Sequence, residues 1–111
     1  MDLMKSMLIA ASGLKTQGGR MRVIAENMAN AGSTAKTPEG DPYRRKIPTF
    51  TTELDRANGV ERVKMGKIER SNSAFGERYE PGHPAANDKG YVKTSNVNTM
   101  IESIDMGQAQ R

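Results

Sequence analysis

The chain has 111 residues, no cysteine, 17 Lys and Arg against 13 Asp and Glu, and a formal net charge of +4. This length allows one small domain, and a hydrophobic share of 35% is too low for a large independent core. The lack of cysteine excludes disulfides, zinc–thiolate sites and cysteine nucleophiles. No stretch approaches the roughly 18–20 apolar residues of a transmembrane helix.

The first thirty residues carry a heptad pattern of apolar side chains. Eight positions are separated alternately by four and three residues, and seven of them are apolar: Leu3, Met7, Ala10, Leu14, Gln17, Met21, Ile24 and Met28. This spacing places them on one stripe of a helix. A helix of thirty residues spans roughly 45 Å at about 1.5 Å per residue. We therefore predict a rod-like coiled-coil helix over residues 1–31 that needs a partner along its length.

The ends of this helix and its glycines bear on its stability. Asp2 is placed to cap the first free amides, and residues 30–32 tolerate the backbone conformation that ends helices. Gly13, Gly18 and Gly19 each cost about 1 kcal/mol relative to alanine inside a helix. The pair Gly18-Gly19 has two interpretations that stay open, a hinge or a point where another element approaches closely.

Residues 32–94 contain all five prolines, which largely exclude helix from the middle of the chain. Asn58-Gly59 is a strong hairpin-turn signal between two apolar or alternating stretches. Four short strands are predicted, at residues 47–54, 60–70, 78–80 and 90–93. The middle of the chain is thus expected to form a small, irregular β-rich region with long loops.

A second heptad stripe begins near the C-terminus. Its positions again step by four and three: Val97, Ile101, Ile104, Gln108 and Arg111. Thr99 and Glu102 have the spacing of a capping box at the start of a helix. The pattern predicts a second coiled-coil helix over residues 95–111. Because the stripe continues to the last residue, we expect the natural protein to continue, with this chain a fragment or a shortened form.

Two heptad helices with a β-rich insert between them predict an α+β fold. The helices are expected to pair as an antiparallel coiled coil, with the β region projecting from the far end. The predicted interface residues are Leu3, Met7, Leu14, Met21, Ile24, Met28, Val97, Ile101 and Ile104. Further apolar residues lie off this seam on the first helix, which favours additional contacts between subunits.

No catalytic, cofactor-binding or metal site is predicted. The single histidine, His83, lies between glycine and proline and is interpreted as a loop residue, and one histidine without cysteine makes no standard zinc site. The densest basic run, residues 44–46, suits a solvated loop or a subunit contact better than a phosphate site. A basic coiled-coil nucleic-acid-binding module remains the alternative, and its affinity for DNA would fall steeply with salt.

Several stretches resemble bacterial flagellar rod and hook proteins. Residues 11–14 (ASGL), 20–21 (RM) and 24–30 (IAENMAN) resemble the N-terminal signature of that family. Residues 37–46 (TPEGDPYRRK) and 81–98, which begin with PGHP, resemble a proximal-rod member. The positions that match the N-terminal motif include Ser12, Gly13, Leu14, Asn27, Ala29 and Asn30.

The resemblance implies a structural subunit without catalysis or cofactor. Such proteins leave the cell through the flagellar type III export apparatus and lie in the periplasmic part of the basal body. They assemble through their terminal helices into the axial tube that transmits torque. The implied partners are copies of itself, other rod proteins and neighbouring basal-body components, with no nucleic acid. For Asn27 and Asn30, hydrogen bonds across subunits and a local helix cap both remain open.

Overall fold

The structure, a computed structural model, describes residues 3–111, which form two helices and six short strands. Helix α1 covers Leu3–Ala29 and helix α2 covers Thr99–Ala109. The strands are β1 (Lys46–Ile47), β2 (Phe50–Asp55), β3 (Val60–Met65), β4 (Glu69–Arg70), β5 (Gly76–Tyr79) and β6 (Tyr91–Thr94). The molecule is elongated, with extents of 65 × 24 × 17 Å. The predicted α+β class is confirmed.

The strands form three antiparallel two-stranded ribbons, β1–β4, β2–β3 and β5–β6. The predicted strand over residues 47–54 is divided because Pro48 lacks an N–H group for the ladder. The following strand is divided where Gly66 N donates to the Thr49 carbonyl at 2.8 Å. The Asn58-Gly59 turn joins β2 to β3 as predicted, with Gly59 at a positive φ of 66°.

The β2–β3 ribbon lies along the N-terminal half of α1. Val63 N donates to Ser12 Oγ at 3.3 Å, and Thr16 Oγ1 donates to the Val63 carbonyl at 3.2 Å. These two hydroxyls cover backbone groups at the outer edge of β3, which an uncovered strand would expose to other chains. The prediction that the β region projects from the far end of the helices is therefore wrong for this ribbon.

The two helices run antiparallel. Asn27 of α1 contacts Glu102 of α2, and Arg20 Nη2 donates to Gln108 Oε1 at 3.4 Å one or two turns away. However, the faces that meet are not the heptad stripes. The buried residues are Thr16, Gly19, Val23, Ile24 and Asn27 on α1, and Glu102 and Ala109 on α2. The predicted coiled-coil pairing is not confirmed, because only Ile24 of the α1 stripe is buried and the hydrogen bonds between the helices join polar side chains.

Gly19 explains how another element comes so close to α1. A β-carbon built on Gly19 would overlap the Met65 sulfur, whereas one on Gly18 or Gly13 would meet no atom within 4 Å. Helix α1 is continuous across both Gly18 and Gly19. Of the two open interpretations, close approach therefore applies at Gly19, and the structure shows no hinge there.

Alanine at these adjacent glycines should separate helix propensity from packing. Gly18→Ala should stabilise the fold by about 0.5–1 kcal/mol, because it only removes the flexibility cost of glycine. Gly19→Ala has the same propensity gain but must displace Met65, so it should be less stable than Gly18→Ala. Denaturant unfolding of the two variants measures the difference, and equal stabilities would contradict the Met65 contact.

The helix ends differ in part from the predicted caps. Asn98, not Thr99, is the N-cap of α2, and its Oδ1 accepts from the Met100 and Ile101 amides at 3.0 and 3.4 Å. The predicted capping box is therefore wrong, since Glu102 lies one position too far along. At the end of α1, Asn30 Nδ2 donates back to the Glu26 carbonyl at 2.9 Å, which is a local cap. The predicted cap at Asp2 lies outside the described residues.

A small apolar cluster holds the loops around β5 and β6, with Ala35, Ala85 and Val92 buried together. His83 is a loop residue whose side chain forms hydrogen bonds within this region. Its Nδ1 accepts from Ala85 N at 2.9 Å, and its Nε2 lies 3.0 Å from Thr34 Oγ1. Both ring nitrogens are thus engaged in holding the loop.

Candidate functional site

The heptad stripe of α1 faces solvent along most of its length. The side chains of Leu3, Met7 and Leu14 are 75%, 57% and 76% exposed, and Met28 is also exposed. Met21 is partly buried, and Ile24 is only 2% exposed, because it lies at the margin between the stripe and the inward face. Successive residues turn by about 100°, so the stripe lies roughly opposite the face that carries Thr16, Gly19, Val23 and Asn27.

The α2 stripe is exposed in the same way. Ile101 and Ile104 are 46% and 57% exposed, and Met100 beside them is exposed too. Val97, before the helix, is partly buried. Ile101 and Ile104 therefore leave much of their apolar surface in water in the single chain. Glu102 and Ala109 occupy the helix interface instead.

The two stripes leave the helix pair with apolar surface on its outer faces. Burying a Leu, Ile or Met side chain contributes about 1.5–3 kcal/mol, which these residues forgo in water. Contiguous exposed apolar surface on a polar protein marks a site of association. The arrangement suits binding to other helices.

The opposite, inward face holds a polar network, here called the hub, in which two buried residues are joined to three partly buried ones: Asn27, Glu102, Tyr43, Arg45 and Lys46. The Asn27 amide is 1% exposed and lies at its centre. Its Oδ1 accepts from Tyr43 OH at 2.7 Å and from Lys46 N at 2.9 Å. Its Nδ2 donates to the Lys46 carbonyl at 2.9 Å and to Glu102 Oε2 at 3.3 Å. All hydrogen-bonding positions of this buried amide are occupied.

The second centre of the hub is the Glu102 carboxylate, which is 0% exposed. Arg45 Nε donates to Glu102 Oε1 at 2.5 Å, and Arg45 Nη2 donates to Asp105 Oδ2 at 3.3 Å. A buried carboxylate needs such a partner, because its desolvation is otherwise uncompensated. Arg45 thus ties the segment before β1 to α2.

The basic run at residues 44–46 is used within the chain. Besides Arg45, Lys46 Nζ donates to Glu26 Oε1 at 2.5 Å. The Arg44 guanidinium lies 4.3 Å from the centre of the Phe75 ring and donates to the Ser71 carbonyl at 3.0 Å. The sequence interpretation of this run as a solvated loop or subunit contact missed these partners. The one sequence feature that could have indicated an ion pair with this basic run is Glu102, an acidic residue on the side of α2 opposite the apolar stripe.

The surroundings of Tyr43 in the hub change the titration of its phenol. Burial, together with the charges of Glu26 and Glu102, raises the pKa of the Tyr43 phenol from 10.0 to about 12. The folded chain therefore keeps this proton at a pH where the unfolded chain loses it.

This shift predicts an alkaline loss of stability. The contribution of Tyr43 is complete below the unfolded pKa near 10 and declines as the pH rises towards about 12. Urea unfolding from about pH 9 to pH 11.5 should therefore show a fall in stability that is smaller in Tyr43→Phe. The phenylalanine variant corrects for the titration of other groups. An equal fall in both proteins would argue against the phenol as its source.

The residues of the N-terminal family motif have separate roles in the structure. Ser12 bonds the β3 strand, Leu14 lies on the exposed stripe, Asn27 centres the hub and Asn30 caps α1. Gly13 has no neighbour within 4 Å that a side chain would meet, and Ala29 is exposed. The motif thus serves both the fold and the outer face.

Residues 3–111 show two further absences that bear on the site. They contain no group of three or more His, Cys, Asp or Glu placed to hold a metal ion. Neither α1 nor α2 combines the length and apolar character needed to cross a lipid bilayer.

Comparison with known proteins identifies the relatives of this chain, although no family model matches it. It is 52% identical over 103 residues to the flagellar basal-body rod protein FlgC of Agrobacterium fabrum, covering 93% of this chain and 74% of the relative. It is 35% identical to FlgC of Borreliella burgdorferi and 36% identical to FlgC of Salmonella typhimurium, covering all of this chain and 84% and 82% of those relatives. The resemblance seen in the sequence is thereby confirmed, and the chain belongs to the family of the flagellar basal-body rod protein FlgC.

Proposed function

We propose that this chain is a structural subunit of the flagellar proximal rod that assembles through the outer faces of its two helices. The observation that carries the proposal is the outward orientation of both heptad stripes. Within the single chain the two helices contact each other through their polar inward faces, and Leu14 and Ile104 remain exposed to water. Neighbouring helices would cover these stripes in an axial tube, and a tube held by such contacts transmits torque.

The partners follow from the same surface. Copies of this chain and other rod proteins would supply the helices that cover the stripes, and neighbouring basal-body components would contact the ribbons. The relatives are named as basal-body rod proteins, which supports the same location here. We further propose passage through the type III export apparatus and assembly in the periplasmic part of the rod. Nothing favours the nucleic-acid alternative, since Arg45 and Lys46 are paired with acidic side chains.

Complementation tests the proposal directly. Agrobacterium fabrum cells that lack their 52% identical FlgC would receive this chain, and swimming and purified basal bodies would be examined. The expected result is that the chain cofractionates with basal bodies and crosslinks to rod proteins. Its absence from basal bodies, when the native FlgC expressed from the same plasmid is present, would contradict the proposed function.

The isolated chain should have less helix than the assembled one. Ordering a residue costs roughly 1–2 kcal/mol of backbone entropy, and the N-terminal turns of α1 bury little apolar surface in return. Circular dichroism of the monomer should therefore show fewer helical residues than the 27 of α1 and 11 of α2. Amide hydrogen exchange should be fast at residues 3–11 and slow near Asn27. Uniform protection along α1 would contradict this expectation.

A further inference from the structure

The two helices could contact each other through their apolar stripes or through their polar faces, and in the structure the polar faces are in contact. At the level of α2, the α1 stripe offers Met21 and Met28, which would form an apolar seam with Ile101 and Ile104 if the stripes faced each other. Instead, Asn27 and Glu102 face each other, and Met28, Ile101 and Ile104 stay exposed. Burial of apolar area alone favours the opposite choice, so another interaction must select this rotation.

We propose that Asn27, Arg45 and Glu102 are positioning residues that set the rotation of α2 about its own axis, so that both apolar stripes remain available to neighbouring subunits. The assignment of the stripes to subunit contacts rests on the proposed function. The rotation itself is a property of the single chain, and it is measurable without a rod.

The hydrogen bonds of the hub are compatible with one rotation only. Turning α2 by one residue, about 100°, would bring Ile101 inward and carry Glu102 away from Arg45 and Asn27. The Asn27 amide and the Arg45 guanidinium would then lose their acceptor, and buried polar groups without partners are strongly unfavourable. A buried polar residue that fixes the register of paired helices is a known use of such groups.

A third segment holds the hub in place from outside the helix pair. Lys46 contributes both its backbone N–H and its carbonyl to Asn27. Arg45 N donates to Asn96 Oδ1 at 2.7 Å, and Asn96 Nδ2 donates to the carbonyls of Ser71 and Ser73 at 3.3 and 3.1 Å. The backbone of Arg45 is therefore held in place independently of its side chain. Because the guanidinium position is set in this way, the Glu102 carboxylate can accept from it at only one rotation of α2.

The test removes the polarity of the hub without removing its volume. The variant combines Asn27→Leu, Arg45→Met and Glu102→Leu, a change that often leaves a buried site folded. Single cysteines at Ile104 or Ala109 report the rotation by their rates of reaction with a maleimide, since the natural chain has no cysteine. In the natural background, the exposed Ile104→Cys should react roughly tenfold faster or more than the buried Ala109→Cys.

In the apolar variant, this rate ratio should fall by about tenfold or reverse, while thermal unfolding stays cooperative. Thr16→Val is the matched control, because it removes a buried hydroxyl from α1 that contacts β3 and not α2, and it should leave the ratio unchanged. A folded apolar variant with the natural ratio would overturn the proposal. If the apolar variant shows a reversed ratio but cells that carry it swim normally, the rotation of α2 does not serve to keep the stripes available to neighbouring subunits.

A second pair of variants covers the case in which the apolar variant does not fold. Asn27→Asp places two carboxylates against each other and should lower the rate ratio, whereas adding Glu102→Gln restores an amide–carboxylate pair and should restore the ratio. Failure of this rescue would count against the hub. If complementation fails while the labelling results hold, the proposed function is wrong and the positioning role stands.

Discussion

Arg45→Ala is expected to detach α2 from α1. The substitution leaves the fully buried Glu102 carboxylate without its cationic partner, and breaking a buried ion pair in this way costs roughly 3–5 kcal/mol. Small domains are stable by only about 5–15 kcal/mol, so much of the stability of this polar chain would be lost. Denaturant unfolding followed by circular dichroism measures the loss, and hydrogen exchange should show it first in α2.

Two further variants show whether the charge of Glu102 is the cause. Arg44→Ala removes the adjacent arginine, which contacts Phe75 and Ser71 at a partly exposed position, and should cost only about 1 kcal/mol. Adding Glu102→Ala to Arg45→Ala removes the uncompensated carboxylate, so the double variant should be more stable than the sum of the single effects predicts. Strict additivity would show that the two residues do not act as a pair.

Leu14→Glu is expected to abolish incorporation into the rod without unfolding the chain. Leu14 lies on the exposed stripe, and exposed substitutions usually change stability by less than about 0.5 kcal/mol. In an assembled rod, the same carboxylate would be buried against a neighbouring helix without a partner, which is strongly unfavourable. Swimming assays and the FlgC content of purified basal bodies measure the effect.

The effect of Leu14→Glu is interpreted by comparison with glutamate at other positions. Asn72→Glu adds the same charge to an exposed loop and should leave both stability and swimming intact. Ile24→Glu is unsuitable as an interface test, because Ile24 is buried in the single chain and a charge there would disrupt folding first. Normal swimming with Leu14→Glu would exclude the α1 stripe as a subunit contact.

The exposures divide the predicted interface residues into groups. The exposed ones remain candidates for contacts between subunits: Leu3, Met7, Leu14 and Met28 on α1, with Ile101 and Ile104 on α2. Ile24 serves the fold of the single chain, while Met21 and Val97 are partly covered. Asn30 is a local cap, and Asn27 bonds within the chain instead of across subunits.

The features that the sequence determined by itself are local ones. The periodic apolar positions define α1 and α2, Asn58-Gly59 defines the β2–β3 turn, and the prolines confine helix to the two ends, because each acts through its immediate neighbours. The family signature is likewise a property of the residues in order. These signals placed the C-terminal end of the long helix within two residues of its observed end at Ala29.

The tertiary structure alone decided which face of each helix turns inward. A heptad pattern identifies an apolar stripe but not whether that stripe meets the same chain or another one. Here the inward face is set by Asn27, Arg45 and Glu102. Asn27 and Arg45 are 18 residues apart in sequence, Arg45 and Glu102 are 57 residues apart, and the three come into contact only in the folded chain. Because a buried carboxylate and amide must keep their partners, the polar faces meet each other and much of the apolar stripes stays exposed.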